Sequence, residues 1–84
     1  MSPYITYDEQ SDVLYVEFRQ AVGDTASHDA GGNRFVETDS DGVVSIEFLT
    51  ASAGVDLAGL PHADEIAQAL DRLRALLAGQ AATA

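Results

Sequence analysis

Apolar and polar residues alternate in two stretches of the first fifty positions. In residues 12–18, Leu14, Val16 and Phe18 fall on one face of an extended chain, and Val13, Tyr15 and Glu17 on the other. In residues 43–50, Val44, Ile46 and Phe48 share one face, and Val43, Ser45, Glu47 and Leu49 the opposite one. A period of two is the signature of a half-buried strand. Each run is entered through an acidic turn. Asp8-Glu9-Gln10-Ser11 joins the short β-prone run Tyr4-Ile5-Thr6-Tyr7 to the first, and Asp39-Ser40-Asp41-Gly42 joins residues 33–38 to the second. This is the pattern of two β-hairpins. Gly42 suits the left-handed position that closes the second turn. The register of that turn decides whether Phe35 or Val36 joins the Ile46 face, because a one-residue shift exchanges them.

Between the hairpins, residues 19–32 contain Gly23, Asp24, Ser27, Asp29, Gly31 and Gly32 and read as a long loop, either mobile or with a strand fragment near residues 19–22. After the second hairpin the period changes. Residues 51–60 form a connector whose Val55, Leu57 and Leu60 are expected beneath the sheet. Residues 61–79 then place Ile66, Leu70, Leu73 and Leu77 at helical spacing, with Pro61 in the first turn, Asp64 and Glu65 toward the positive end of the helix dipole, and Gly79 as the stop. Residues 80–84 are expected to fray. A helix with one apolar stripe needs a surface to cover, and the Leu14/Val16/Phe18 and Val44/Ile46/Phe48 faces supply it. The expected fold is a single α+β domain, a four-stranded antiparallel sheet built from two hairpins with one C-terminal helix packed on one face. The other face holds Val13, Tyr15, Val43 and Leu49, too apolar for ordinary surface, and is expected to be partly covered by a second copy of the chain.

Composition narrows the function classes. The chain has 84 residues, so its core is small. It has no cysteine to add a disulfide or a thiolate metal site. No run approaches the length of a membrane span, and the opening residues run directly into strand-like sequence, so the expected location is the cytoplasm. Fourteen acids face four arginines and no lysine, a net charge of −10. Such a surface repels a phosphate backbone, which argues against nucleic-acid binding and in favour of a basic protein partner.

The residues that carry both hairpins also carry a resemblance. Tyr7-Asp8, then Asp12-x-Leu14-Tyr15-Val16-x-Phe18, then Asp39-x-Asp41-Gly42-x-x-x-Ile46-Glu47-Phe48-Leu49, resemble the small bacterial and archaeal proteins grouped as domain of unknown function 2283. The likeness spans roughly residues 4–52 and has Ser45 where that family usually has glycine. It implies the same hairpin-built sheet and brings no established activity. Some members are encoded beside small toxin-like proteins, which implies an antitoxin-like companion role.

Candidate chemistry is sparse. Asp39-x-Asp41-Gly42 imitates the start of a calcium loop but runs straight into a strand, so a hairpin turn is the expected reading. Asp8, Glu9 and Asp12 are expected to bond turn amides. His28 and His62 are too few for a zinc site and are expected at the surface. Glu17 and Glu47 share a face with Tyr15. If their strands are neighbours they form the most interesting surface on the protein; the plainer expectation is solvated glutamates, or glutamates paired with Arg19 or Arg34. Nothing near the Asp8, Glu9 and Asp12 cluster supplies a nucleophile, and no glycine-rich phosphate loop is present. The expected function is therefore a non-enzymatic interaction module, homodimeric, without cofactor or metal, acting as companion to a basic protein. In it Asp8, Glu9, Asp12, Glu17, Glu47 and the acidic loop around Asp24 and Asp29 form a charge-complementary rim, and Tyr15, Val43 and Leu49 the apolar contacts. The alternatives are a small-ligand or enzymatic site at Glu17, Glu47 and Tyr15, or a purely structural homo-oligomer.

Overall fold

The computed structural model describes residues 3–83, with side chains through Ala78. Its elements are β1 (Tyr4–Asp8), β2 (Val13–Glu17), β3 (Ala26–Gly31), β4 (Arg34–Asp39), β5 (Gly42–Leu49), a short 3-10 turn (Ala51–Ala53) and α1 (Ala63–Thr83). The α+β class, the antiparallel sheet and the single C-terminal helix are as the pattern predicts. The sheet has five strands rather than four, in the order β1-β2-β5-β4-β3, every pair antiparallel.

The additional strand lies within the segment expected to be a loop, at Ala26–Gly31 rather than near residues 19–22. Its sequence, Ala-Ser-His-Asp-Ala-Gly, has no apolar alternation, and all six side chains are exposed. It is a strand because it pairs with β4, not because it buries anything. Gly31, Gly32 and Asn33 turn the chain with three consecutive positive φ angles of 82°, 61° and 63°. Two of the three are glycines, which adopt that region without a Cβ penalty. The Arg34 guanidinium then fixes the turn. It donates to the carbonyls of Ala30 at 3.1 Å and Gly31 at 2.8 Å, and to those of Asp56 at 3.1 Å and Ala58 at 2.6 Å in the connector.

Register is set at the sheet centre. Tyr15 lies opposite Glu47 and Val16 opposite Ile46 across β2–β5; Phe35 lies opposite Glu47 and Val36 opposite Ile46 across β4–β5. Val36 therefore joins the Ile46 face, and Phe35 turns to the other. An irregularity between Glu37 and Thr38 adjusts the pairing before the turn at Gly42, whose φ is 114°.

One face of the sheet is dry. Leu14, Val16, Ile46, Phe48, Leu60 and Ile66 form its core, with Ile5, Phe18, Val36, Val55, Leu57 and Leu70 packed around them. The connector residues thus tuck under the sheet as expected. Val16, Ile46 and Ile66 are the largest fully buried side chains, and each contributes roughly 1.5–3 kcal/mol by leaving water.

The helix departs from expectation at both ends. It begins at Ala63, where the expected start was residue 61, after a turn in which the Ile66 amide bonds the His62 carbonyl. It passes through Gly79 and continues to Thr83, so the expected stop and most of the expected frayed tail are helical; Ala84 lies outside the described residues. Among the described side chains, those that bury against the sheet lie in its first half. Ile66 and Ala69 are buried and Leu70 is half-buried, but every side chain from Asp71 to Ala78 is exposed, Leu73 and Leu77 among them. The sheet ends before the leucine stripe does.

Candidate functional site

The face opposite the helix is a shallow concavity of about 320 Å³, lined by Thr6, Tyr15, Glu17, Ser27, Phe35, Glu37, Ser45 and Glu47. Strand alternation builds it. In one row across the sheet Tyr15, Glu47 and Phe35 stand side by side on β2, β5 and β4. In the next row Glu17, Ser45 and Glu37 do the same. Aromatic–acid–aromatic thus lies beside acid–hydroxyl–acid. Glu17 and Glu47 are on neighbouring strands but diagonal, because the residue opposite Glu17 is Ser45. The Ser45 hydroxyl donates to Glu37 Oε1 at 3.4 Å. None of the lining residues is cationic.

The arginines expected as partners for these glutamates are held elsewhere. Arg19 binds Asp39 through two nitrogens, Nη1–Oδ2 at 2.7 Å and Nη2–Oδ1 at 2.5 Å, and also donates to the Gly42 and Gln20 carbonyls. Arg34 serves the β3–β4 turn. Both guanidinium groups thus brace loops, and the concavity keeps its negative charge.

The two acidic turns have different occupations. In the β4–β5 turn the Asp39 side chain is fully shielded from solvent. Besides Arg19 it accepts hydrogen bonds from the Val22 amide at 2.8 Å and the Asp41 amide at 2.8 Å. The Arg19 guanidinium and then the Val22 amide hold its carboxyl far below the usual aspartate range. The Asp39 pair holds the Arg19 side chain even more firmly protonated. This carboxylate is a turn fastener.

In the β1–β2 turn, Asp8 accepts a bond from the Gln10 amide at 3.1 Å, the local turn bond expected of it. Asp12 does more. It has a left-handed backbone, φ 57°, and its carboxylate accepts from the Ser52 hydroxyl at 2.5 Å, the Ser52 amide at 2.9 Å and the Tyr7 hydroxyl at 2.7 Å. Its carbonyl accepts from the Ala51 amide at 3.0 Å. The Ser52 hydroxyl and the Tyr7 hydroxyl lower the Asp12 carboxyl, and the bond to Asp12 in turn raises the Tyr7 phenol. Asp12 therefore latches the first hairpin to the end of β5.

The remaining sequence candidates are dispersed. Val13 pairs with Leu49 and is buried; Leu49 and Val43 are half-buried. Tyr15 alone of the four apolar residues on this face is exposed. Glu9 lies in the β1–β2 turn, outside the concavity. His28 shares a hydrogen bond with the Thr38 hydroxyl at 2.9 Å. His62 lies 3.1 Å from Glu65 and packs its ring against Phe18 at 4.8 Å. No group of three or more His, Asp or Glu residues among those described is arranged to hold a metal, and no described helix is long and apolar enough to cross a membrane.

Tyr15, Glu17 and Glu47 were legible as site residues. Thr6, Ser27, Phe35 and Glu37 were not. Phe35 and Glu37 alternate with Val36, so a fixed β4–β5 register would have revealed them. Ser27 sits on the strand that carries no pattern.

Comparison with known proteins gives one match. Residues 4–52 match the model of a family described as protein of unknown function, DUF2283. No curated protein and no solved structure matches the chain. The matched segment holds all five strands and ends at Ser52, the residue that closes the Asp12 latch.

Proposed function

Because the chain belongs to the DUF2283 family of proteins of unknown function, which brings no activity with it, we propose a reading from the concave face: a non-enzymatic recognition module that binds an exposed basic segment of a partner protein. One observation carries it. Two aromatic rings and three carboxylates alternate on a concave surface whose lining includes no cation. Carboxylates attract an arginine or lysine head group, and the aromatic faces favour the same cation through their quadrupoles. The partner segment is pulled in by a net charge of −10 and oriented by the alternation. In a cell such a module masks the basic surface of its partner, which is what an antitoxin-like companion does.

The test is a titration of the isotopically labelled protein with an arginine-rich peptide, followed by amide shifts. Expected are perturbations at Tyr15, Glu17, Phe35, Glu37, Ser45 and Glu47, reduced by salt and weakened at least about tenfold, or about 1.4 kcal/mol, in Glu17→Gln/Glu47→Gln. Shifts confined to other surfaces, or equal affinity for the double variant, would refute the reading. Strong binding of a small organic cation with no gain from peptide length would replace it by a small-ligand site on the same face.

A further inference from the structure

The two hairpins repeat one unit. Tyr4-Ile5-Thr6-Tyr7-Asp8 matches Phe35-Val36-Glu37-Thr38-Asp39, and Val13-Leu14-Tyr15-Val16-Glu17-Phe18 matches Val43-Val44-Ser45-Ile46-Glu47-Phe48. The aspartate, the opening valine and the closing Glu-Phe are identical, while Tyr4/Phe35, Ile5/Val36 and Val16/Ile46 keep their chemistry. Each aspartate accepts a bond from the amide two residues on, Gln10 for Asp8 and Asp41 for Asp39.

The register agrees with the sequence match. Ile5 lies opposite Val16, Val16 opposite Ile46, and Ile46 opposite Val36. That row carries equivalent residues at equal distances from its middle, and the strand order β1-β2-β5-β4 is symmetric in the same sense. A local two-fold axis therefore passes between Val16 and Ile46, normal to the sheet. On the concave face it relates Glu17 to Glu47. Phe35, on the outer strand of the second hairpin, lies opposite Glu47. Its equivalent Tyr4, on the outer strand of the first, lies opposite Glu17. Directly opposite residues share a face, so each glutamate has an aromatic ring beside it. The second pair is half-buried next to β3, whereas Tyr4 stands on the sheet edge, 68% exposed and outside the lining of the concavity. Glu37 is matched by Thr6, so it lies outside the repeated pair.

We propose that Tyr4 and Glu17 form a second cation subsite, equivalent to Phe35 and Glu47, and that the partner's basic segment puts one arginine or lysine into each. A carboxylate with a ring beside it suits a guanidinium or ammonium head group. Glu17 and Glu47 are diagonal neighbours, about 7–8 Å apart at the backbone. Alternate side chains of an extended chain stand about 6.8 Å apart on one face. The occupant is thus an extended segment with basic residues at alternate positions. This assignment rests on the recognition reading and adds Tyr4 to it.

The test titrates the isotopically labelled full chain, at low salt, with a peptide carrying arginines at alternate positions, and takes affinity from amide shifts. Tyr4→Ala is expected to bind about threefold more weakly, the size of an exposed cation–ring contact, with unaltered stability. Tyr4→Phe, which copies the ring at position 35, is expected to bind as wild type does. In a Glu17→Gln background Tyr4→Ala is expected to cost little more, because the subsite is already broken; in a Glu47→Gln background it keeps its full threefold. Glu37→Gln, which removes the same charge as Glu17→Gln, is expected to cost less. Wild-type affinity in Tyr4→Ala, a Tyr4→Phe as weak as Tyr4→Ala, equal losses in the two backgrounds, or a Glu37→Gln loss as large as that of Glu17→Gln would each overturn the subsite and leave the recognition reading standing. A concave face that the peptide leaves unperturbed in wild type would overturn both.

Discussion

Two adjacent rows of the same sheet lead opposite lives. Ile5, Val16, Ile46 and Val36 line up across four strands on the helix side, and one residue further along the strands Thr6, Tyr15, Glu47 and Phe35 line up on the open side. Ile46 is 1% exposed, while its neighbour Glu47 lies in an open concavity beside two aromatic rings. The backbone, the strands and the pairing are shared; only the direction of the side chain differs. Alternation lets one set of strands hold a fold with every second residue and leave the others on an open face.

The largest expected effect breaks the dry row. Ile46→Ala is expected to cost about 2–5 kcal/mol, because it removes a fully buried branched side chain and leaves a cavity. Chemical denaturation measures it directly, and Ile66→Ala should behave alike from the helix side. Glu47→Ala, the neighbouring position, is expected to change stability by no more than about 0.5 kcal/mol. Comparable losses at residues 46 and 47 would show that the open face also carries the fold.

A second expectation concerns the turn that frames both rows. The Asp39 carboxyl titrates well below its ordinary value of 3.8, held there first by Arg19. Its folded-state value is depressed, so the unfolded chain takes up the proton first as pH falls. The stability it contributes is complete above the unfolded value, at neutral pH, and drains away below about pH 4 toward the folded-state value. Thermal midpoints of wild type and Asp39→Asn should therefore differ most at pH 7 and converge toward pH 2, with wild type the more stable. A gap that stays constant with pH would mean that the pair is held by shape rather than charge.

A smaller effect tests the latch. Asp12→Asn keeps the size of the side chain but weakens acceptance from Ser52 and Tyr7. The thermal midpoint should fall at neutral pH by less than for Ile46→Ala. Faster amide exchange is expected at Ala51 and Ser52, with little change at Ile46. Smallest of all is Glu17→Gln, with unaltered stability and a weakened response to a basic peptide.

The sequence made the dry row legible because burial writes itself as periodicity. Leu14, Val16, Val44, Ile46 and Phe48 were evident without coordinates, and so were the two hairpins that present them. β3 was illegible for the converse reason: it satisfies backbone groups through β4 and buries no side chain, so its sequence records no pattern. The helix stop failed because Gly79 is only a weak interruption, costing about 1 kcal/mol relative to alanine. The extent of the cover failed because helical spacing at Leu73 and Leu77 says which way a side chain points, not whether a sheet lies beneath it. At the site, Tyr15, Glu17 and Glu47 followed from the alternation within two strands, although only the structure shows that those strands are neighbours. Phe35 and Glu37 needed the β4–β5 pairing, which hinges on one irregularity near Thr38.

That patternless strand has an evolutionary consequence. Ser27 on β3 walls the concave face, yet nothing in the core depends on the residues of β3. On the proposed recognition reading, substitutions there alter what the concavity accepts without being screened for their effect on folding. Selection for a new partner and selection for a folded chain thus act on separate parts of the sheet. A lineage of such proteins could exchange ligands by redrafting one edge strand while Val16, Ile46 and Ile66 stand unchanged.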